Sequence, residues 1–223
     1  IKEKKFQITD ISSKVVKRNP SGPFTTSTLQ QVASSRLGFG ASRTMQIAQK
    51  LYQGVEIEGD TVGLITYMRT DGTNLSADAV NDFRSFIKNE YGNEYLPDSA
   101  NNYSGKKAKN AQEAHEAIRP TDINRAPNTL KKYLSSDQQK LYNLIWSRAL
   151  SSQMEVAQFD RNTITIESED NQTICKASGS VLKFDGFLKV YSNTSKDDDE
   201  EILPEMSKGP INIEALIDEQ HFT

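Results

Sequence analysis

Cysteine, histidine and long apolar runs are what this sequence has least of, and each scarcity narrows the chemistry open to it. Its single cysteine, Cys175, excludes a disulfide within the chain and fits a reducing compartment such as the cytoplasm. Cys175 lies in an alternating strand pattern and is expected to pack inward. The two histidines, His115 and His221, fall in different segments. His115-Glu116 invites a zinc-protease reading, but that motif needs a second His where Arg119 stands, so no zinc site is assigned. No apolar run approaches the roughly 18 to 20 residues of a membrane span, no signal peptide is visible, and no membrane partner is expected. The acidic run Asp197-Asp198-Asp199-Glu200-Glu201 is unbroken and lacks ligand spacing, so it reads as a solvated hairpin loop and no metal ligands are assigned.

What is present is unevenly charged. Residues 1–150 hold 21 Lys and Arg against 15 Asp and Glu, whereas residues 151–223 hold 6 against 15, which together give the overall −3. The first part suits contact with phosphate and the second should avoid it. A surface only modestly positive points to nucleic-acid binding through a few placed contacts and stacking, not a broad basic patch.

One segment carries a specific chemical suggestion. In Ile65-Thr66-Tyr67-Met68-Arg69 a phenol and a guanidinium stand two positions apart at the end of an apolar run. In an extended strand such residues share a face, roughly 6 to 7 Å apart. One phosphodiester fits between them, with Tyr67 as nucleophile and Arg69 neutralising the non-bridging oxygens. Transesterification on nucleic acid follows. The competing reading is packing, since the chain has 8 tyrosines and a Tyr at a strand end is commonly half-buried.

The periodicity predicts an α+β chain. Thr28-Leu29-Gln30-Gln31 has capping-box spacing with Gly38 as a stop, and a second helix runs from Ser42 to Gly54. Residues 55–67 read as strand, a Glu58-Gly59-Asp60 turn, and strand, which completes a winged-helix-like pattern with Tyr67 at the end of the wing. A third helix starts at the cap Ser76 and carries Val80, Phe83, Ile87 and Tyr91 on one stripe, with Gly92 ending it. A fourth opens with Ser136-Asp137-Gln138-Gln139 and buries Leu141, Leu144, Ile145, Trp146, Ala149 and Leu150, Trp146 serving as an anchor. Beyond Val156 the period becomes two, over 161–167, 173–178 and 184–191, with 211–215 as a further strand. Residues 1–16 are also strand-like. The expected architecture is a winged-helix-like helical domain (20–155) inserted into a discontinuous antiparallel β domain (1–19 and 156–223).

The run from Gly63 to Ser76, GLITYMRTDGTNLS, resembles the active-site segment of bacterial type IA DNA topoisomerases. PFTTSTLQQVASSRLGFG (23–40) and AQEAHEAIRPTD (111–122) resemble the same family, in the same order. The resemblance implies an ATP-independent enzyme whose β domain forms part of a ring around DNA and acts as a hinge. Tyr67 would form a transient 5′-phosphotyrosyl link with one strand, allowing strand passage and relaxation of negatively supercoiled DNA before religation. Arg69 and His115 would complete the catalytic group, with Arg69, His115, Arg119 and Thr121 as DNA contacts and Glu116 orienting a neighbour. For His115 the alternative is a structural histidine. Thr70, Asp71, Thr73 and Asn74 are expected to shape the loop through side-chain to backbone hydrogen bonds.

The family also has an acidic Mg²⁺-binding domain, and this chain contains no Asp-x-Asp-x-Glu cluster and begins at Ile1. It therefore reads as an internal piece, inactive alone, whose Mg²⁺ ligands lie outside it. Its expected partners are single-stranded and negatively supercoiled DNA and the remaining domains of the parent chain, in the cytoplasm with the nucleoid. A reading from another class is a non-catalytic winged-helix module that lays the basic 42–52 helix in a major groove.

Overall fold

The computed structural model describes residues 5–103, 116–192 and 206–211. Their order is β1 (Phe6–Arg18), α1 (Thr26–Leu37), α2 (Ala41–Gln53), β2 (Val55–Ile57), β3 (Asp60–Val62), α3 (Ala77–Glu90), α4 (Ser136–Ser151), β4 (Ala157–Ser168), β5 (Ile174–Phe184) and β6 (Gly209–Ile211). The chain splits into two compact units. Of the described residues, 5–18, 157–185 and 206–211 form one, and 19–103, 116–156 and 186–192 form the other.

The first unit is an antiparallel sheet in the order β5-β4-β1-β6. β1 runs along β4 from Phe6↔Ser168 to Arg18↔Ala157, with a bulge between Ile8 and Asp10. The strand-like N-terminal segment thus pairs with strands that follow it by about 150 residues. Its alternation buries Phe6 and Ile8 on β1 and Ile164 on β4. Because Arg18 and Ala157 are the last partners of this ladder, the intervening chain leaves and rejoins the sheet at paired positions.

The second unit is mainly helical. α1 is capped by Thr25, whose hydroxyl accepts from the Thr28 N–H while the Thr28 side chain accepts in return, and it ends at Gly38 with φ 66. α3 is capped by Ser76, which accepts from the Ala79 N–H, and buries Ala79, Phe83 and Ile87. α4 carries the inner face of the unit, with Leu141, Tyr142, Ile145, Ala149 and Leu150 fully buried. Trp146 is also buried, and its indole N–H donates to the Ile123 carbonyl (2.9 Å), as its expected anchoring role requires. β2 and β3 form a hairpin closed by Glu58 (φ 56) and Gly59 (φ 96), the two positive angles of a type I′ turn.

Several expectations need correction. The capping boxes lie earlier than predicted, at Thr25–Thr28 and Ser135–Gln138, and α2 starts after Gly40 with no side-chain cap. The strand through Tyr67 ends at Val62, because the following backbone bonds to other segments and not to a ladder. Residues 184–191 are not a strand. β5 ends at Phe184, and a 3-10 turn over Gly186–Lys189 folds the chain onto the helical unit, where the Phe187 N–H meets the Glu155 carbonyl (2.9 Å). Cys175 is exposed although its register places it on the face of the buried Ile8 and Ile164: β5 is an edge strand, and Ile174, Cys175 and Lys176 are all uncovered at this end of it. Of the expected strand 211–215, Ile211 belongs to β6 and residues 212–215 lie outside the described residues. The acidic run 197–201 lies outside the described residues. No helix among the described residues is long and apolar enough to cross a membrane.

These placements set a contrast in stability. Leu141→Ala is expected to cost about 2 to 5 kcal/mol as a core truncation. Cys175→Ser should stay within about 0.5 kcal/mol of the parent, as surface substitutions do. Chemical denaturation of both variants checks the pair, and maleimide labelling of the native chain reports the exposure of Cys175.

Candidate active site

Residues 63–76 have no helix or ladder of their own, yet Leu64, Ile65, Met68 and Thr70 are buried. Buried backbone polar groups need partners, and two distant segments supply them. From the first residue of α1, the Thr26 N–H donates to the Thr70 carbonyl (2.9 Å). The Thr26 hydroxyl donates to the Met68 carbonyl (2.7 Å) and accepts from the Thr70 N–H (2.8 Å). From the other side, the Thr66 N–H donates to the Arg119 carbonyl (2.9 Å). The Thr66 hydroxyl donates to the Ala117 carbonyl (2.7 Å) and accepts from the Arg119 N–H (3.0 Å).

The clamp continues along the loop. The Thr121 N–H donates to the Leu64 carbonyl (3.0 Å) and its hydroxyl to the Gly63 carbonyl (2.7 Å). Ala117 donates to the Asn74 carbonyl (2.8 Å), and Ile118 donates to the Phe24 carbonyl (2.8 Å), tying the two outer segments to each other. The three stretches singled out in the sequence therefore meet here. Gly63 fits because its α-carbon faces the Tyr52 carbonyl: a Cβ there would lie 2.8 Å from that oxygen.

The result is an alternation in exposure without a strand. Met68 and Thr70 point inward while Tyr67 and Arg69 point outward, with Tyr67 47% exposed. Tyr67 and Arg69 are thus both exposed, on a tethered loop with bends at Thr66, Met68 and Arg69 and not on the expected strand. Tyr67 packs edge-on against Tyr52, ring centroids 5.3 Å apart. Arg69 borders two grooves, one lined by Thr25, Thr26, Ser27, Thr70 and Asp71, the other by the polar face of α2 from Ser42 to Gln53, including Lys50.

Arg119 is placed differently from a residue awaiting a ligand. Its guanidinium donates to both carboxylate oxygens of Glu116 (2.6 and 3.2 Å) and to the Pro120 carbonyl (2.9 Å), and only 15% of its side chain is exposed. Glu116 in turn accepts from the Ser76 N–H (3.0 Å), at the cap of α3. Burial of Glu116 opposes its charge, but the bonds from Arg119 and Ser76 outweigh this and hold the carboxyl below the usual range. Of the loop residues, Thr70 accepts from the Gly72 N–H (3.0 Å) and Thr73 donates to the Tyr103 carbonyl (2.9 Å). Tyr103 is anchored by its own hydroxyl, which bonds the Pro20 and Ser152 carbonyls; burial pushes that phenol up to about 12. His115 lies outside the described residues.

The clamp threonines Thr26 and Thr66 were not singled out in the sequence. Their signal was available: hydroxyl residues flanked by Phe24 and by Ile65, in runs apolar enough to be buried but lacking a regular period. Among the described residues no group of three or more His, Cys, Asp or Glu side chains is placed to hold a metal ion. They do not fit a Mg²⁺ site, so the chemistry is derived from this chain's own side chains.

A tethered loop that leaves a phenol and, two residues on, a guanidinium exposed, at the junction of three long motifs, defines a candidate phosphoryl-transfer site. The profile of the DNA topoisomerase family matches residues 1–223. The chain is 49% identical over 227 aligned residues to DNA topoisomerase 1 of Rickettsia bellii, covering 100% of this chain and 28% of that protein. It is 46% identical to DNA topoisomerase 1 of Xylella fastidiosa, covering 98% of this chain and again 28% of the relative. Among solved structures, full-length topoisomerase I from Thermotoga maritima superposes with a TM-score of 0.79 at 36% identity, covering 94% of this chain and 33% of that one. The chain belongs to the DNA topoisomerase family. It spans less than a third of the length of these curated relatives.

Two outcomes follow from the geometry. Gly63→Ala forces a side-chain carbon against the Tyr52 carbonyl, so it is expected to cost about 1 to 3 kcal/mol as an overpacked site and to shift the amide resonances of residues 64–70. A carboxyl held below its unfolded value stabilises the fold above that value and loses the contribution as pH falls through the folded one. The stability difference between the parent and Glu116→Gln should therefore be constant above about pH 5 and narrow below the ordinary value of 4.5, as read by denaturant titration at each pH.

Proposed function

We propose that this chain is the nucleophile-bearing part of an ATP-independent type IA DNA topoisomerase, with Tyr67 as nucleophile. The observation that carries the reading is the exposure of Tyr67 and Arg69 on a loop where Thr66 bonds the distant Ala117 carbonyl and the Met68 carbonyl accepts from the distant Thr26 hydroxyl. The phenol oxygen attacks the phosphorus of one strand, the bond to the 3′ oxygen breaks, and the proton lost by the phenol is balanced by the one gained by the leaving 3′ hydroxyl. A 5′-phosphotyrosyl ester results, and the reverse attack rejoins the strand. Because one ester replaces another, no ATP is needed.

A phenol with a reference pKa of about 10 is a weak nucleophile at neutral pH. Arg69 neutralises the non-bridging oxygens in the crowded transition state. The grooves on either side of Arg69 supply a path for a single strand. His115 is assigned to the scissile phosphate or to holding Tyr67, on the resemblance of its motif. Arg119 and Thr121 brace the loop in this reading, given the bonds they make. Mg²⁺, single-stranded and negatively supercoiled DNA, and strand passage belong to the complete enzyme, with the metal ligands outside this chain. The helix, helix and ribbon order of α1, α2, β2 and β3 supports a winged-helix-like description of this part.

That order also supports the non-catalytic duplex-binding alternative. It is disfavoured because Arg43 on α2 pairs with Asp137 (2.6 Å), leaving that helix few cations for a groove. Tyr67 separates the two readings. In the full-length protein, Tyr67→Phe should abolish the covalent adduct with a labelled oligonucleotide while its melting stays near the parent's; an adduct in this variant would overturn the assignment. Arg69→Lys keeps the charge but loses the planar fork, so relaxation should fall by roughly one to two orders of magnitude, about 1.4 to 2.8 kcal/mol. Parental relaxation rates would instead make Arg69 a solvated loop residue.

A further inference from the structure

Among the described residues of the helical unit, the exposed large hydrophobic side chains are Tyr52 and Tyr67, 40% and 47% exposed, and the two touch. Tyr52 belongs to the last turn of α2, where Leu51 turns fully inward and Tyr52 outward. Its backbone is fixed at the junction where the loop begins: the Leu51 carbonyl accepts from the Leu64 N–H (2.8 Å), and the Tyr52 carbonyl lies against Gly63. Its ring meets that of Tyr67 at 5.3 Å between centroids and 65° between planes, an edge-to-face arrangement. No core requirement accounts for a large aromatic at this exposed position.

We propose that Tyr52 is a positioning residue for Tyr67. The backbone clamp fixes the α-carbon of Tyr67 but not its side chain, which in open solvent would populate several staggered χ1 wells. The Tyr52 ring is a wall on one side, tied through α2 to the same junction as the loop. It narrows the rotamers of Tyr67, so the phenol oxygen is held in place when a phosphodiester arrives, and the effect falls on the chemical step, not on DNA affinity. The proposal rests on the reading of Tyr67 as nucleophile.

The test uses the full-length protein with Tyr52→Phe, Tyr52→Leu and Tyr52→Met. Single-turnover cleavage of a labelled single-stranded oligonucleotide is measured beside its dissociation constant by fluorescence anisotropy, with Tyr67→Phe in parallel. Phe retains the wall and should cleave within about twofold of the parent. Leu and Met remove it, so cleavage should slow roughly three- to tenfold, the range from losing one rotamer well in three to a modest misplacement of the reacting atom. Affinity should change by less than about twofold. Two aliphatic variants are used so that the misfolding of either one, seen by melting, leaves the other to decide. Parental cleavage in a folded aliphatic variant overturns the proposal, as does a loss confined to affinity, which would make Tyr52 a base-stacking residue. An adduct formed by Tyr67→Phe would instead overturn the underlying reading, and the role of Tyr52 with it.

Discussion

A buried segment with irregular backbone has to find a partner for every N–H and C=O outside itself, and residues 64–74 do so through threonine. Thr26 and Thr66 each donate one hydroxyl hydrogen to a carbonyl and accept one amide hydrogen. Each therefore works as a short piece of ladder where no ladder exists. An alanine in either place would leave both a carbonyl and an N–H unpaired in a region closed to water, and such groups cost about 1 to 3 kcal/mol each. The convergence of the three motifs follows from this need: 24–26 and 116–121 are the segments whose own backbones also lack regular partners.

The same constraint explains how the Tyr67 side chain is held in the open. Ordering a loop residue costs about 1 to 2 kcal/mol of backbone entropy, and an exposed Tyr contributes little burial in return. The burial comes from its neighbours instead. Leu64, Ile65 and Met68 are at most 1% exposed and are offset along the loop so that Tyr67 and Arg69 remain outside. Stability and presentation are divided between alternate residues, which is what the two-residue periodicity of the motif encodes.

Much of the fold was legible in the sequence. The helices follow amphipathic stripes strong enough to survive small errors at their ends, and the errors were of one kind. The reciprocal cap uses the first of two adjacent serines at Ser135–Gln138 and the first of four consecutive hydroxyl residues at Thr25–Thr28, a choice the sequence alone leaves degenerate. Residues 184–191 alternate like a strand, but Gly186 takes φ 48 and turns the chain into a helical turn instead. Cys175 failed for another reason: alternation gives the face but not the depth, and at this end of an edge strand residues 174–176 are exposed on both faces. In the site, the outward Tyr67 and Arg69 were legible from their spacing. The bonds that hold them were not, because they join residues 26, 66 and 119, and contacts that distant leave no periodic trace.

The local pairing of Arg119 with Glu116 has a consequence for charge at the site. A second free guanidinium beside Arg69 would strengthen binding of the phosphodiester before and after the reaction alike, which lowers no barrier. With Arg119 paired to Glu116 and bonded to the α3 cap, the exposed cations that line the grooves are Arg69 and Lys50. In a reversible transfer between two esters of similar energy, neither the diester nor the tyrosyl ester can be bound so tightly that the other becomes inaccessible. In the proposed reaction Arg69, two residues from Tyr67, would act on the charge common to both esters and most strongly on the crowded state between them.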